Sequence, residues 1–315
     1  TSILMVDFCC ALKLSIPIAV LSAMREAGEY RMTVKGGKFL EAVAEADTIV
    51  FDKTGTLTEA VPKVHKVVPF SDINEDECLR IAACLEEHYP HSIANAVVKE
   101  AMVKGLDHEE KHSKVEYIVA HGIASTLDGQ KVCIGSHHFI FEDEGCTIDE
   151  DKKQAFEDLP NEYSHLYLAI DKKLVAVILI DDPIKPGVAK AIKQLKALGI
   201  KNAVMMTGDN ERTARVIAAK VGVDSYYSEV LPEDKANFIK EERSKGHKVI
   251  MVGDGVNDSP ALSEADAGIA INSGAAIARE VADIMIGSDE LDELVKLREI
   301  SMMLMKRIKL SYRQI

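Results

Sequence analysis

Thr48-Ile49-Val50-Phe51-Asp52-Lys53-Thr54-Gly55-Thr56-Leu57-Thr58 decides how this chain is read. Its first four residues predict a short buried strand, rich in β-branched and aromatic side chains, that ends at Asp52. A carboxylate at a strand end can act as a nucleophile and form an acyl phosphate. Gly55 lets the backbone turn tightly, so that N–H groups can face a phosphate. The bland alternative is an incidental Asp in a turn, and the seven residues 52–58 standing together after a β-run argue against it.

Two later segments repeat the pattern. Residues 203–206 run into Thr207-Gly208-Asp209, and residues 248–252 run into Gly253-Asp254-Gly255. Helical patterns at 186–198 and 210–221 separate these strands, which predicts βαβ units and a parallel sheet. Ligands of such sheets sit outside the carboxyl ends of the strands, so the three polar loops should share one edge and build one site. The stretch 62–178 reads differently. It carries helix candidates at 75–87 and 91–103, strands at 115–119, 123–127 and 131–134, a turn at Asp128-Gly129, and no strand-then-Asp loop. It is expected to be an α+β domain inserted into an α/β one.

The 315 residues suffice for roughly two domains, and 47% hydrophobic with 28% charged residues allows a sizeable core. A net charge of −13 excludes a nucleic-acid binder, because phosphate backbones are held by Lys and Arg. The six Cys are scattered and read as reduced thiols rather than a disulfide framework. The chain opens at Thr1 inside an apolar stretch, as expected of a piece of a longer protein. Residues 1–24 are long enough for a membrane span, although Asp7, Lys13 and Pro17 interrupt them. Arg25, Arg31, Lys35 and Lys38 at one end, and Lys306, Arg307, Lys309 and Arg313 at the other, fit a cytoplasmic membrane surface. A buried first helix and a solvated amphipathic last helix would read the same way.

The heptad 52–58 resembles the phosphorylation signature of P-type ATPases. Thr207-Gly208-Asp209, Leu231-Pro232-Glu233-Asp234-Lys235-Ala236, and Gly253-Asp254-Gly255-Val256-Asn257-Asp258-Ser259-Pro260-Ala261-Leu262 are similar to that family's remaining phosphoryl-site motifs, in the same order. The resemblance covers residues 35–315. It implies a haloacid-dehalogenase-like Rossmann domain in which Asp52 attacks the γ-phosphate of ATP. It further implies Mg²⁺ held by Asp52, Asp254 and the backbone carbonyl of Thr54, with Asn257 and Asp258 supporting the loop and metal shell. Lys235 and Thr207 would bind phosphoryl oxygens beside Gly208 and Asp209. Soluble phosphatases of this fold resemble Asp-x-Asp; Thr54 stands at the second position and cannot act as a general acid at neutral pH. The phosphoenzyme should therefore persist, as a pump needs.

Within the 62–178 stretch, Glu86-Glu87-His88-Tyr89-Pro90-His91-Ser92 resembles the His-Pro nucleotide motif of the heavy-metal class, with His91 as the His and Ser92 in place of Pro. Ala120-His121-Gly122 resembles that class's Gly-x-Gly turn, and Gly135-Ser136 its Gly-Asn pair. The resemblance implies that His91, Gly122, Gly135 and Gly208 contact nucleotide. Cys84 and His88, with Cys78 and His91 nearby, match no closed zinc pattern. Phe8-Cys9-Cys10 resembles the Cys-Pro-Cys membrane helix of the class, with Cys10 matching the second Cys. Cys9 and Cys10 are then expected on the transport path, and Asp7 one turn from Cys10 adds an oxygen that favours a divalent ion over Cu⁺.

The expected organisation is a membrane-helix stub and extension at 1–34, a phosphorylation domain at 35–61 and 179–298, a nucleotide-binding domain at 62–178, and the start of the next membrane helix at 299–315. The expected activity is ATP-driven transition-metal transport through an aspartyl phosphate. The alternatives are a pump for another cation or a soluble phosphatase of the same fold. The expected partners are the transported ion, the multi-pass cell membrane with these domains on its cytoplasmic side, and an actuator domain outside this chain.

Overall fold

The computed structural model describes residues 2–59, 61–87, 92–106, 116–118, 122–127, 129–255, 258–271, 276–288 and 290–313, with the backbone alone for 2–13, 92, 116–118, 276–278 and 312–313. Two sheets organise it. The larger has seven strands in the spatial order β1 (Met32–Val34), β13 (Ile284–Ile286), β12 (Ala267–Ile271), β11 (Val249–Gly253), β2 (Thr48–Asp52), β9 (Asn202–Met206) and β10 (Ser225–Tyr227). All neighbours are parallel except β1, which runs antiparallel to β13.

The alternation of side chains along a strand explains the two layers around this sheet. Ile49 and Phe51 of β2, Ala203 and Met205 of β9, and Ile250 and Val252 of β11 enter one core, with Leu40 and Val43 of helix Gly37–Glu45 and Ile192 and Leu195 of helix Val188–Ala197. Val50, Val204, Met206, Val249 and Met251 enter the other, with Ile239 of helix Pro232–Ser244 and Leu262. Strands buried on both faces read as continuous apolar runs, as these do.

The second sheet has six strands in the order β3 (Lys63–Pro69), β8 (Lys173–Asp181), β7 (Ser164–Ile170), β6 (Gln130–Gly135), β5 (Gly122–Leu127) and β4 (Glu116–Ile118), each antiparallel to its neighbour. Helices Glu75–Glu86 and Ser92–Val103 cover one face, with Leu79, Ala82 and Val97 packed on Ile134, Leu168 and Ile178. Phe139, Ile140 and Leu159 cover the other, against Tyr167 and Val177.

Helix Ser2–Glu29 packs on helix Asp292–Arg313, and Ala23 and Ala27 join the larger core with Leu297, Ile300 and Leu304. Residues 32–34, grouped by sequence with the 1–34 extension, instead form an edge strand of the larger sheet. Of the stretch 299–315, grouped as the start of a new helix, residues 299–313 continue one that begins at Asp292, because an apolar stripe through Leu294, Leu297, Ile300 and Leu304 keeps one face on the core. Among the described residues no helix is long and apolar enough to cross a membrane. Cys78, Cys84, Cys133 and Cys146 are buried free thiols. Burial pushes the Cys78 thiol up to about 11, which opposes the thiolate a zinc ion would need.

Candidate active site

Asp52 ends β2 at the middle of the larger sheet. In register it lies opposite Met206, so Thr207 emerges from β9 one residue further along. Val252 lies opposite Phe51, which carries Gly253 and Asp254 of β11 to the same edge. The parallel register thus brings together three loops that are about 150 and 200 residues apart in sequence, the convergence expected at strand carboxyl ends.

A buried lysine joins two of them. Lys235 Nζ lies 2.5 Å from Asp52 Oδ1 and 2.8 Å from Asp258 Oδ1, and all three residues are buried. Lys235 comes from helix Pro232–Ser244, whose start is fixed by Pro232 in its first turn and by the Asp234 carboxylate accepting from the Leu231 amide. Burial and the neighbouring Asp258 charge push the Asp52 carboxyl up to about 6, against the pull of Lys235 and Lys53. Burial also raises Asp258. Burial opposes the Lys235 charge, but the two carboxylates outweigh it and hold that group above the ordinary lysine range.

The loop after Asp52 is built around Gly55, at φ 76°. A Cβ there would sit 3.5 Å from Asp254 Oδ2, so the loop lies directly against the Asp254 carboxylate. Lys185 Nζ donates to the Gly55 carbonyl at 2.7 Å. Thr56 is fully buried, and its hydroxyl has no hydrogen-bond partner. Asp258 Oδ2 is likewise buried without one. An acidic, all-oxygen cluster with an orphaned carboxylate oxygen fits a hard cation such as Mg²⁺.

Lys53 turns the other way. Its Nζ contacts Asp209 Oδ2 at 2.7 Å and Asp182 Oδ2 at 2.9 Å, and donates to Ser164 Oγ at 2.9 Å. Burial opposes its charge, and Asp209 and Asp182 outweigh that and raise it above the ordinary lysine value. Asp209 is held below the usual carboxylate range, Lys53 overcoming its burial. Its amide donates to Thr207 Oγ1 at 3.1 Å. Asp209 therefore faces Lys53 rather than Asp52, and Gly208 is exposed between them. Thr58 accepts from the Gly55 amide and donates to Asp182, which closes the loop on itself.

Gly122 and Gly135 stand directly opposite one another on β5 and β6. A Cβ on Gly122 would meet Phe139 at 2.3 Å and the Ile134 carbonyl at 2.5 Å, so only glycine fits there. His91 and Asn257 lie outside the described residues, as do the side chains of Cys9 and Cys10. Lys53, Thr56, Ser164, Asp182 and Lys185 belong to the site's framework; Lys53 and Thr56 lie in the heptad 52–58 without a role read from sequence, and Ser164, Asp182 and Lys185 stand in none of the motifs read there. Asp181-Asp182-Pro183 after an apolar strand was the signal available for one of them.

A family model described as haloacid dehalogenase-like hydrolase matches residues 46–266, and the chain belongs to that family. Proteins similar to this chain include copper- and zinc-transporting P-type ATPases. The copper-exporting P-type ATPase of Legionella pneumophila is 36% identical over 308 residues, which is 98% of this chain and 41% of that protein. A crystal structure of a zinc-transporting PIB-type ATPase in the E2.Pi state aligns over 95% of this chain and 48% of its own, at 32% identity and a TM-score of 0.62. The catalytic domain of the CPx-ATPase CopB-B aligns over 88% of this chain and 98% of its own, at 27% identity and a TM-score of 0.71. The chain spans about a third to two fifths of the length of the curated relatives it matches.

Proposed function

We propose that this chain is the catalytic region of an ATP-driven transition-metal pump, and that Asp52 is its phosphate acceptor. The observation that carries the reading is the buried Asp52–Lys235–Asp258 array at the carboxyl end of the central strand. An Asp52 oxygen attacks the γ-phosphorus in line. The new O–P bond forms as the bond to ADP breaks, and water later cleaves the acyl phosphate. Lys235 neutralises developing charge on the phosphoryl oxygens. The unpartnered Thr56 hydroxyl, with Thr207, supplies donors to the same oxygens.

Asp52, Asp254, Asp258 and the Thr54 carbonyl are the groups that would hold Mg²⁺, which supplies positive charge to the transferring phosphoryl group when bound. Thr54 offers no carboxyl to activate water, which favours a lasting phosphoenzyme over phosphatase turnover. The unit built on the six-stranded sheet is the nucleotide-binding domain in this reading, with adenine near His91, Gly122 and Gly135. Copper and zinc are the ions named for the relatives. For this chain we infer a transition-metal cargo in contact with Cys9 and Cys10, in a membrane that the complete protein spans.

The test uses Mg²⁺ and γ-labelled ATP. The chain should acquire label that hydroxylamine removes. Asp52→Asn, which keeps the shape and removes the nucleophile, should acquire none. Equal labelling of the two proteins would place the acceptor elsewhere.

A further inference from the structure

His137, Glu142 and Glu229 present one ligand atom each, all within 4.8 Å of one another. They come from both sheets' units. His137 follows the end of β6, Glu142 lies one turn further on, and Glu229 stands in the connection from β10 to helix Pro232–Ser244. His137 Nδ1 is 3.1 Å from Glu229 Oε1, yet the two are not aligned for a hydrogen bond, and this buried nitrogen has no hydrogen-bond partner. A ring nitrogen and a carboxylate oxygen this close, and out of line for a hydrogen bond, can share a cation between them.

We propose that these three residues form a divalent transition-metal site, of the Zn²⁺ type, that clips the two units together. The donor set supports it: one imidazole and two carboxylates suit a borderline metal better than Mg²⁺ or Cu⁺. The spacing supports it too. Ligand atoms about 2.0–2.2 Å from a tetrahedral zinc lie about 3.4 Å apart, so closing the third ligand needs a side-chain rotation only. Glu142, exposed, rests 3.1 Å from His138 Nδ1 and can exchange that partner for an ion.

The other two ligands are already oriented. The His137 ring packs on Phe141, 4.7 Å between centroids, and against the edge of Tyr167. Glu229 adopts φ 54°, its amide donating to the Asp209 carbonyl at 2.9 Å while the Val230 amide donates to the Thr207 carbonyl. The Glu229 backbone is thereby tied to the loop that pairs with Lys53 beside Asp52. A cavity of about 220 Å³ between the two units, lined by His137, His165, Tyr167, Asn210 and Glu229, gives an ion and its water access to the cluster.

This site is separate from the phosphate acceptor, so labelling of Asp52 tests one proposal and metal binding the other. The experiment takes the whole chain with Cys9→Ser and Cys10→Ser, which removes the thiols assigned to the cargo, titrates it with Co²⁺ in excess Mg²⁺, follows visible absorption, and then displaces Co²⁺ with Zn²⁺. One equivalent should bind with ligand-field bands and no thiolate charge-transfer band, since no sulfur is involved. His137→Gln and Glu229→Gln should each lose that equivalent or weaken it by more than the roughly tenfold that even an outer-sphere change brings. Glu157→Gln, on the rim of the same cavity, should bind as the parent does. The metal-free melting point of each variant establishes that it is folded. Absence of any bound equivalent, a thiolate band, or full affinity in Glu229→Gln overturns the bridge; the last result would confine the ion to the His137 side alone.

Discussion

Asp52 and Lys53 are adjacent in sequence and face opposite ways, and this divides the site into two charge clusters. Lys235 serves Asp52 and Asp258, while Lys53 serves Asp182 and Asp209. Removing one partner of a buried pair strands the other charge. Lys53→Ala leaves two buried carboxylates without their cation and should destabilise the fold by about 3–5 kcal/mol, measured by urea unfolding. A loss under about 1 kcal/mol would mean that water already compensates those carboxylates.

The Asp52 carboxyl gives a second prediction at this scale. Its folded pKa, about 6, is raised above the ordinary 3.8, so the group favours folding while protonated, and that contribution fades as pH rises from about 4 through 6. Mg²⁺ requires the ionised carboxylate and must displace a proton at any pH below about 6. The rise in melting temperature on adding Mg²⁺ should therefore be larger at pH 7.5 than at pH 5. An equal rise at both pH values would show that Asp52 does not face the ion.

At the scale of elements, β5 and β6 meet so closely at Gly122, opposite Gly135, that a methyl group on Gly122 has no room. Phe139 could rotate away, but the Ile134 carbonyl is backbone and cannot. Gly122→Ala should therefore shift the strand, lower stability by about 1–3 kcal/mol, and weaken ATP binding together with it. Calorimetry with ATP and thermal unfolding check both. An unchanged ATP affinity with reduced stability would separate the strand crossing from nucleotide contact. The helix at Glu211–Val221 shows the opposite economy, in which local sequence alone suffices. The Asn210 side chain caps its first turn at Thr213, and Gly222 at φ 79° ends it.

For the molecule as a whole, the inserted unit leaves and re-enters at one place. Lys63 of β3 lies opposite Asp181 of β8, as neighbours in an antiparallel pair. A short Gly-Ser link from residue 62 to residue 182 should therefore give a protein that folds cooperatively around the seven-stranded sheet. It should keep Mg²⁺ binding and lose ATP binding. Among the described residues the contacts it sacrifices include Lys53 to Ser164, Asn210 to His165 and Tyr167, Thr213 to the Tyr163 carbonyl, Arg212 to Glu157, and His137 to Glu229. A product that does not fold, by circular dichroism and denaturation, would show that the two units depend on one another.

The sequence by itself determined where the polar loops follow buried strands and their order along the chain. Asp52 at a strand end, Gly55 in the turn, and the loops at 207–209 and 253–255 were legible because strand periodicity and loop composition are local properties. The helices at 75–87, 186–198 and 210–221 were legible for the same reason. The tertiary structure decided what depends on register and on burial. Only strand pairing shows that Thr207 and Asp254 arrive beside Asp52, and that the Lys235 ammonium lies between two carboxylates. Lys53 and Lys185 look like surface lysines in sequence; their burial comes from the arrival of Asp182, Asp209 and the Gly55 carbonyl from elsewhere. Residues 32–34 were read with the extension before them because a three-residue edge strand carries too little pattern to show without its partner β13. The meeting of His137 and Glu229 had no local signal at all, since it joins two units whose approach is set by the whole fold.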